Sequence, residues 1–537
     1  MNKKYFLIIL VTLLVTYFPI IFDDVAVNPD AQIILPNLES FRNWKDYLIG
    51  LFSLKTIDFQ PVRDLTFFVD LIFYHKLNLN TFVLQNILWW GYACYLIWKI
   101  TTKVYSKKNP ALLFLVVLGF SVYPLFSFVV TWGMARKHIL SFVFILLAIN
   151  SLIESKDLSK KQSLRLGFYY LLSVLSQPIN ILMPVWAAIY LRLYSSADWK
   201  RILKFLIPTL IVFVSVGLIN YAYYESSPAY FLYYSSKTSQ VFDVADQILA
   251  LGHYFFQLIF PYLLAYSYQL GDYSQLVGMG LLVFFCLVLY KLNKNGIKLF
   301  LWPVLGGLSL VVVLVTPTNL FDTYLLVPAF SMLMVILYLL PSELKRGNVL
   351  ISGVLVLGWA SYSHHQAKNW MNIEQLVKTS FERRPNCKNV TNYLRIAYDY
   401  GSPPTIEAKD YLKHNECLKQ GVSNDYGVVT QLNLLSHMLF YENFFPMEKR
   451  IERLRQFSQN NLISHLTLVA LFIKNGRTNE ADIEIKSIIS RMKDKKVQEN
   501  EFHLITFRLV HPYCLEKNWQ ECLEITAPLS MRPKTPY

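Results

Sequence analysis

Long apolar runs alternate with short polar segments from the N-terminus to about residue 362, and beyond that point the runs stop. Roughly 20 apolar residues make a helix that crosses the hydrocarbon core of a membrane. The pattern therefore predicts about eleven spans. They fall at 5–22, 81–100, 111–131, 137–153, 164–177, 178–194, 203–224, 273–291, 298–316, 324–340 and 348–362.

Residues 366–537 are polar and read as helices separated by short breaks. The expected architecture is all-α: a membrane domain over 1–365, with a first outer loop over 23–80, and a second helical domain over 366–537. In the second domain, residues 462–491 predict two helices joined at Asn475-Gly476, which resembles a tetratricopeptide repeat. Such a domain is either a solenoid that binds a protein partner or a compact bundle.

The positions of the basic residues predict how the chain lies in the bilayer. Only 16% of the 537 residues are charged, against about 25% in soluble domains. The net charge of +15 would suggest nucleic acid in a soluble protein. Here Lys and Arg concentrate in alternate loops, which predicts a cytoplasmic N-terminus and a second domain on the outer side. Nucleic acid is therefore not expected as a partner.

One further apolar segment tests the predicted number of spans. Residues 249–268 are long enough to span, but a crossing there would move two later basic loops to the outer side. We therefore expect a re-entrant or membrane-lying helix that is interrupted at Pro261.

Four of the six cysteines lie in the second domain, where an oxidising compartment would favour disulfides. The nearest-neighbour pairing joins Cys387 to Cys417 and Cys514 to Cys522. Four unpaired thiols are the alternative.

Adjacent carboxylates follow the first predicted span, at Asp23 and Asp24. Like charges this close raise one pKa, which suits a general base or a ligand of a divalent cation. The alternative is that these acidic residues only mark the end of a span.

Basic side chains also lie on the predicted outer side, in the run Arg136-Lys137-His138. Guanidinium and ammonium donors match phosphate oxygens, so a lipid phosphate would suit this cluster. The alternative is an anchor that snorkels to the membrane interface.

The order of these features resembles the GT-C superfamily of polytopic glycosyltransferases. Within it, the likeness is to protein O-mannosyltransferase-like membrane proteins with tetratricopeptide repeats. The similar segments begin at Asp23-Asp24 and continue with Gln60-Pro61-Val62-Arg63, then 132–141, 253–264 and Tyr324-Leu325-Leu326-Val327-Pro328.

This resemblance implies transfer of a sugar from a polyprenyl-phosphate carrier to an acceptor hydroxyl on a protein or glycan. Asp23 or Asp24 would take the acceptor proton, with inversion at the anomeric carbon. Arg63, Arg136, Lys137 and His138 would hold the departing lipid phosphate.

The chain also departs from the family pattern. It reads Ser176-Gln177-Pro178 and Phe321-Asp322-Thr323 where the family carries further charges, and His138 replaces an acidic residue. Either the enzyme uses another lipid donor, or the scaffold has partly lost activity.

The leading hypothesis is thus a lipid-dependent glycosyltransferase of a bacterial inner membrane. The alternative is a non-catalytic envelope scaffold that recruits partners through residues 366–537. A secondary transporter ranks last, because the predicted spans contain almost no ionisable groups. The chain has no Walker lysine or His-Glu-x-x-His motif, which argues against an ATP-driven transporter and a zinc hydrolase.

Overall fold

The computed structural model is helical throughout the residues that it describes. These residues are 3–22, 59–77, 80–155, 157–195, 197–226, 244–261, 273–292, 300–315, 322–342, 346–369, 373–383, 446–458, 462–493 and 510–520, with 371, 385, 389, 390, 393, 407, 408 and 522. No strand occurs among them, which confirms the all-α prediction for this part of the chain.

The chain divides into two units, Met1–Ser227 with Phe242–Thr379 and Pro228–Val241 with Ser380–Tyr537. The longer helices of the first unit are α1 (Lys3–Ile21), α2 (Pro61–Leu77), α3 (Thr81–Val104), α4 (Pro110–Ser121), α5 (Ser127–Thr131), α6 (Arg136–Ile153), α7 (Lys160–Ser176), α8 (Met183–Tyr194), α9 (Trp199–Ser226), α10 (Val244–Ile259), α11 (Tyr273–Leu292), α12 (Leu301–Val315), α13 (Leu326–Leu339), α14 (Arg346–Asn369) and α15 (Ile373–Arg383). Short 3₁₀ helices cover Pro124–Phe126, Gly133–Ala135, Pro178–Asn180 and Asp322–Leu325.

Each predicted span coincides with a helix or with a pair of helices, but few of them are long and apolar enough to cross a membrane. Three qualify among the described residues, at Lys4–Ile21, Arg136–Ile153 and Trp199–Ala222. A fourth would be the pair formed by α4 and Pro124–Thr131, which is bent by 45°. These helices are those of a membrane-associated protein, while the count of eleven spans stays a prediction.

Local sequence accounts for many helix ends. Asn80 accepts a hydrogen bond from the backbone N of Val83 and so caps α3, while Ser159 and Gln162 form a capping box at the start of α7. Pro124 has no backbone N–H to continue a helix. The segment predicted as one span at 111–131 is accordingly broken there.

The structure also bears on two predicted boundaries, the break at Pro261 and the end of the membrane domain at residue 365. The predicted re-entrant segment at 249–268 is described as far as Pro261, and within it α10 stops at Ile259. Its placement in the membrane stays a prediction. α14 continues through the predicted boundary between residues 365 and 366 to Asn369, and the first compact unit ends at Thr379. The predicted domain boundary itself stays a prediction.

Small residues let two helices of the first unit approach very closely. A Cβ atom built on Gly278 of α11 would lie 1.8 Å from the carbonyl oxygen of Gly252 on α10, and one built on Gly252 would lie 2.3 Å from the carbonyl oxygen of Gln275. Backbone contact of this kind requires glycine on both helices.

The second unit contains α16 (Met447–Ser458), α17 (Leu462–Lys474), α18 (Thr478–Lys493) and α19 (His511–Glu516). The predicted helix pair is present, and Gly476 ends α17 with a φ of 71°. Lys517, just after α19, donates from Nζ to Oδ2 of Asp482 on α18 at 2.6 Å. This ion pair ties the last described helix to the helix pair.

A disulfide joins Cys514 to Cys522, in agreement with the predicted pairing of these two cysteines. Cys387 and Cys417 lie outside the described residues, so their predicted pairing stays a prediction.

We expect Gly278→Val to destabilise the protein by about 3 kcal/mol, because the side chain must push α10 and α11 apart. The thermal unfolding temperature of purified protein measures this. Gly280→Ala is the matched control, since a Cβ there meets no atom within 4 Å. Equal unfolding temperatures for Gly278→Val and the parent chain would contradict the close packing of these helices.

Candidate functional site

The first residue of α6, Arg136, is completely buried, and protein groups satisfy its guanidinium. Its Nε donates to Oδ1 of Asn86 at 2.9 Å, and its Nη2 donates to the carbonyl oxygen of Phe82 at 2.7 Å. Its Nη1 donates to Oγ1 of Thr66 at 3.2 Å and forms an ion pair with Asp70. Both charged side chains are 0% exposed, so this ion pair is isolated from solvent.

The spacing of polar residues on α2 explains how the Asp70 carboxylate reaches Arg136. Arg63, Thr66 and Asp70 are three and four residues apart and therefore share one face of the helix. The ring of Phe67, on the same side of α2, has its centroid 4.9 Å from Cζ of Arg136. One face of α2 thus carries a row of polar side chains, and the Phe67 ring covers the Arg136 guanidinium.

Arg63, one helical turn before Thr66, is the start of a second part of the network. It is 3% exposed and donates from Nε to Oδ1 of Asp64 at 2.7 Å and from Nη1 to Oε1 of Gln60 at 2.9 Å. Gln60 in turn donates from Nε2 to Oε1 of Gln177 at 2.7 Å. These bonds join the start of α2 to the end of α7.

Hydroxyl groups extend the network where α7 ends. The Oγ of Ser141 on α6 donates to the carbonyl oxygen of Gln177 at 3.0 Å and lies 3.1 Å from the Oγ of Ser173. Asn180 donates from Nδ2 to the Oγ of Ser141 at 3.0 Å. One end of the α6–α7 pair is therefore lined with buried groups that can donate and accept hydrogen bonds.

The first turn of α6 also carries the other two predicted phosphate ligands. Lys137 is half-buried, and His138 is 4% exposed. The His138 ring packs edge-on against Tyr324, with the centroids 5.3 Å apart. This contact brings the motif at Tyr324 beside the motif at Arg136.

Next to Tyr324 lies the buried hydroxyl of Thr323. Among the described residues, its Oγ1 and both amide atoms of Gln257 on α10 have no hydrogen-bond partner. Gln257 is 0% exposed, and an unsatisfied buried amide costs about 1–3 kcal/mol. Such groups are those that a ligand or an ordered water would satisfy.

Helix geometry places Gln257 on the side of α10 that faces the interior. Gly252 and Phe255 contact α11, the latter through the ring of Phe285 at 5.5 Å. Gln257 is about 140° round the helix from Gly252. α10 also contacts the 3₁₀ helix Asp322–Leu325, which carries Thr323. The two unsatisfied side chains thus belong to neighbouring elements.

Burial has the largest effect on the pKa of Asp70. Burial raises the pKa of Asp70 to about 6, and the charge and hydrogen bonds of the Arg136 guanidinium limit the rise. The carboxylate is therefore ionised at neutral pH, where it neutralises Arg136.

The four predicted phosphate ligands stay predictions, and the structure shows what each of them contacts. The guanidinium of Arg136 is enclosed by Asp70, Asn86, Thr66 and Phe82. Arg63 already pairs with Asp64, and His138 packs on Tyr324. Lys137 is the more exposed of the four predicted ligands. Asp23 and Asp24 lie outside the described residues, so their role as a base stays a prediction.

Sequence reasoning missed Asp70, Asn86 and Gln257. The carboxylate seven residues after Arg63, in the apolar part of α2, was a usable signal, because buried charges in such helices are rare unless paired. Gln257 belonged to the similar segment 253–264, but the sequence does not show whether an amide in an apolar helix has a hydrogen-bond partner.

Among the described residues, no group of three or more His, Cys, Asp and Glu side chains could hold a metal ion. The predicted divalent cation depends on Asp23 and Asp24 and stays a prediction. No protein-family model, no curated protein and no solved structure matches the chain.

We expect Asp70→Leu to lower the free energy of unfolding by about 3–5 kcal/mol, because it leaves the Arg136 charge buried without a counter-ion. The double variant Asp70→Leu with Arg136→Met removes both charges and should lose less. Thermal unfolding in detergent measures the difference. An Asp70→Leu protein as stable as the parent would refute the ion pair.

Gln257→Leu should raise the unfolding temperature of the ligand-free protein, because it replaces an unsatisfied amide by an apolar group of similar size. The gain expected is about 1–3 kcal/mol. Gln247→Leu, at a half-buried position of the same helix, is the control and should change little. A large loss of stability in Gln257→Leu would mean that the amide is satisfied.

Proposed function

We propose that the chain is a glycosyltransferase of the GT-C kind. It moves a sugar from a polyprenyl-phosphate carrier to an acceptor hydroxyl at the outer face of a bacterial inner membrane. The observation that carries this proposal is the buried polar network. It joins Gln60 and Arg63 of one motif to Gln177, and Arg136 of another motif bonds to Thr66 of α2. His138 of that motif packs on Tyr324 of another.

The chemistry is an inverting displacement. The acceptor oxygen attacks the anomeric carbon, and the bond from that carbon to the phosphate oxygen breaks. The electron pair of that bond leaves with the polyprenyl phosphate, and the acceptor proton passes to Asp23 or Asp24. Lys137 stabilises the negative charge that develops on the phosphate.

Arg136 acts in this scheme as a positioning residue. Its bonds to Asp70 and Asn86 hold the first turn of α6, so that Lys137 and His138 have a fixed place next to Tyr324. Groups held in this way lose little conformational entropy when a ligand binds.

The unsatisfied atoms of Gln257 and Thr323 suit the sugar. A carboxamide and a hydroxyl both donate and accept hydrogen bonds, as sugar hydroxyl groups do. Retaining an unsatisfied amide destabilises the empty protein, and a binding site is where such a loss of stability is tolerated.

The test is transfer of label from undecaprenyl-phosphate [¹⁴C]mannose and, separately, [¹⁴C]glucose to non-lipid material in membranes that contain the chain. We expect Asp23→Asn or Asp24→Asn to lower the rate by about 100-fold or more, because acceptor deprotonation is lost. Asp30→Asn, in the same predicted loop, is the matched control. Full transfer by both single variants and by the double variant would overturn the role of the carboxylates.

The alternative is an envelope scaffold, and the helix pair α17–α18 in the second unit supports it. A scaffold predicts that no labelled lipid is consumed by the parent chain. It also predicts that defects in cells map to residues 366–537 and are indifferent to Asp23 and Asp24. The labelling experiment together with these variants therefore separates the two functions.

A further inference from the structure

A cluster of cations surrounds one carboxylate where α6 ends, at the opposite end of this helix from Arg136. The Nζ of Lys99 lies 3.6 Å from Oε1 of Glu154, and Nη2 of Arg165 lies 3.3 Å from Oε2. Lys103 pairs with the same carboxylate and also donates to Oδ1 of Asn150 at 2.8 Å. Helices α3 and α7 thus both present cations to the end of α6.

One carboxylate cannot neutralise three cations. Burial works to raise the pKa of Glu154, but Lys103 and Lys99 lower it below its usual value, so the carboxylate is ionised. Two positive charges remain in excess. The side chains of Lys99 and Arg165 are 40% and 41% exposed, so an anion from outside can reach them.

The candidate span places the cluster at the predicted depth of lipid headgroups. Glu154 directly follows Arg136–Ile153, one of the candidate spans. Trp98, next to Lys99, packs on Tyr5 of α1 with the ring centroids 4.7 Å apart. Trp and Tyr favour the interface between hydrocarbon and headgroups, which agrees with this placement.

Beside the cations lies an apolar surface that acyl chains can cover. Leu164 and Phe168 are four residues apart on α7 and are 54% and 56% exposed. Leu164 adjoins Arg165 in the chain, so a molecule with a phosphate on the guanidinium can place hydrocarbon on these two side chains. A free phosphate ion would use only the cations.

We propose that Lys99, Lys103 and Arg165 bind the phosphate of an anionic phospholipid whose acyl chains lie along Leu164 and Phe168. The phosphate oxygens accept hydrogen bonds from the ammonium and guanidinium groups in competition with Glu154. This site is separate from the site of sugar transfer and does not depend on that function.

The experiment is native mass spectrometry of delipidated full-length protein in dodecyl maltoside, titrated with phosphatidylglycerol or with phosphatidylcholine. The parent chain should bind phosphatidylglycerol more tightly. The double variant Lys99→Gln with Arg165→Gln should lose about 30-fold in this affinity and keep its affinity for phosphatidylcholine. Lys291→Gln, at the end of α11, is the control and should bind both lipids as the parent does.

Glu154→Gln distinguishes a lipid site from an ionic contact that only holds the helices together. Removing the competing carboxylate should raise the affinity for phosphatidylglycerol several-fold, and this readout remains if the double variant fails to fold. Unchanged or weaker binding by Glu154→Gln would overturn the proposal, as would full binding by the double variant. Inorganic phosphate that displaces the lipid at micromolar concentration would show a site for a free anion and would equally overturn it.

Discussion

Much of the first unit is arranged around one requirement, that the buried charge of Arg136 must find its partners inside the protein. The residue lies at the start of α6, where a candidate span begins and where solvent does not reach its guanidinium. A buried cation of this kind is tolerated only when a counter-ion and further acceptors surround it. Asp70 on α2 and Asn86 on α3 supply them, and they thereby fix the positions of these two helices against α6.

Helix α6 has charged groups at both of its ends, and the two ends differ in net charge and in exposure to solvent. α6 has 18 residues and is therefore about 27 Å long, close to the thickness of a hydrocarbon core. At the N-terminal end, Asp70 neutralises the charge of Arg136 and neither side chain is exposed to solvent. This arrangement suits a site that holds groups in a fixed geometry. At the second end Glu154 leaves two cations partly exposed, which suits exchange with mobile lipids. Catalysis and lipid contact would thus be separated by the length of one helix.

The sequence predicted the helices well, because apolar runs, Asn caps and Pro breaks are local signals. Gly476 and the helix pair around it are examples from the second unit. Pairings between distant residues could not be predicted, since Gln60 and Gln177 are 117 residues apart and nothing in either local pattern selects the other. Arg136 looked like an exposed cation at the end of a span, but the packing of α2 encloses it. The predicted base, Asp23 or Asp24, lies outside the described residues and rests on the sequence alone.

The measurement that tests the account most directly is an electron cryo-microscopy map of the full-length protein in lipid nanodiscs with added undecaprenyl phosphate. The account predicts phosphate density within hydrogen-bond distance of Lys137, with Arg136 still bonded to Asp70 and Asn86. A map in which Arg136 has left Asp70 and binds the phosphate would contradict the structural role of Arg136. A saturated sample with no phosphate in the first unit would contradict the proposed function itself.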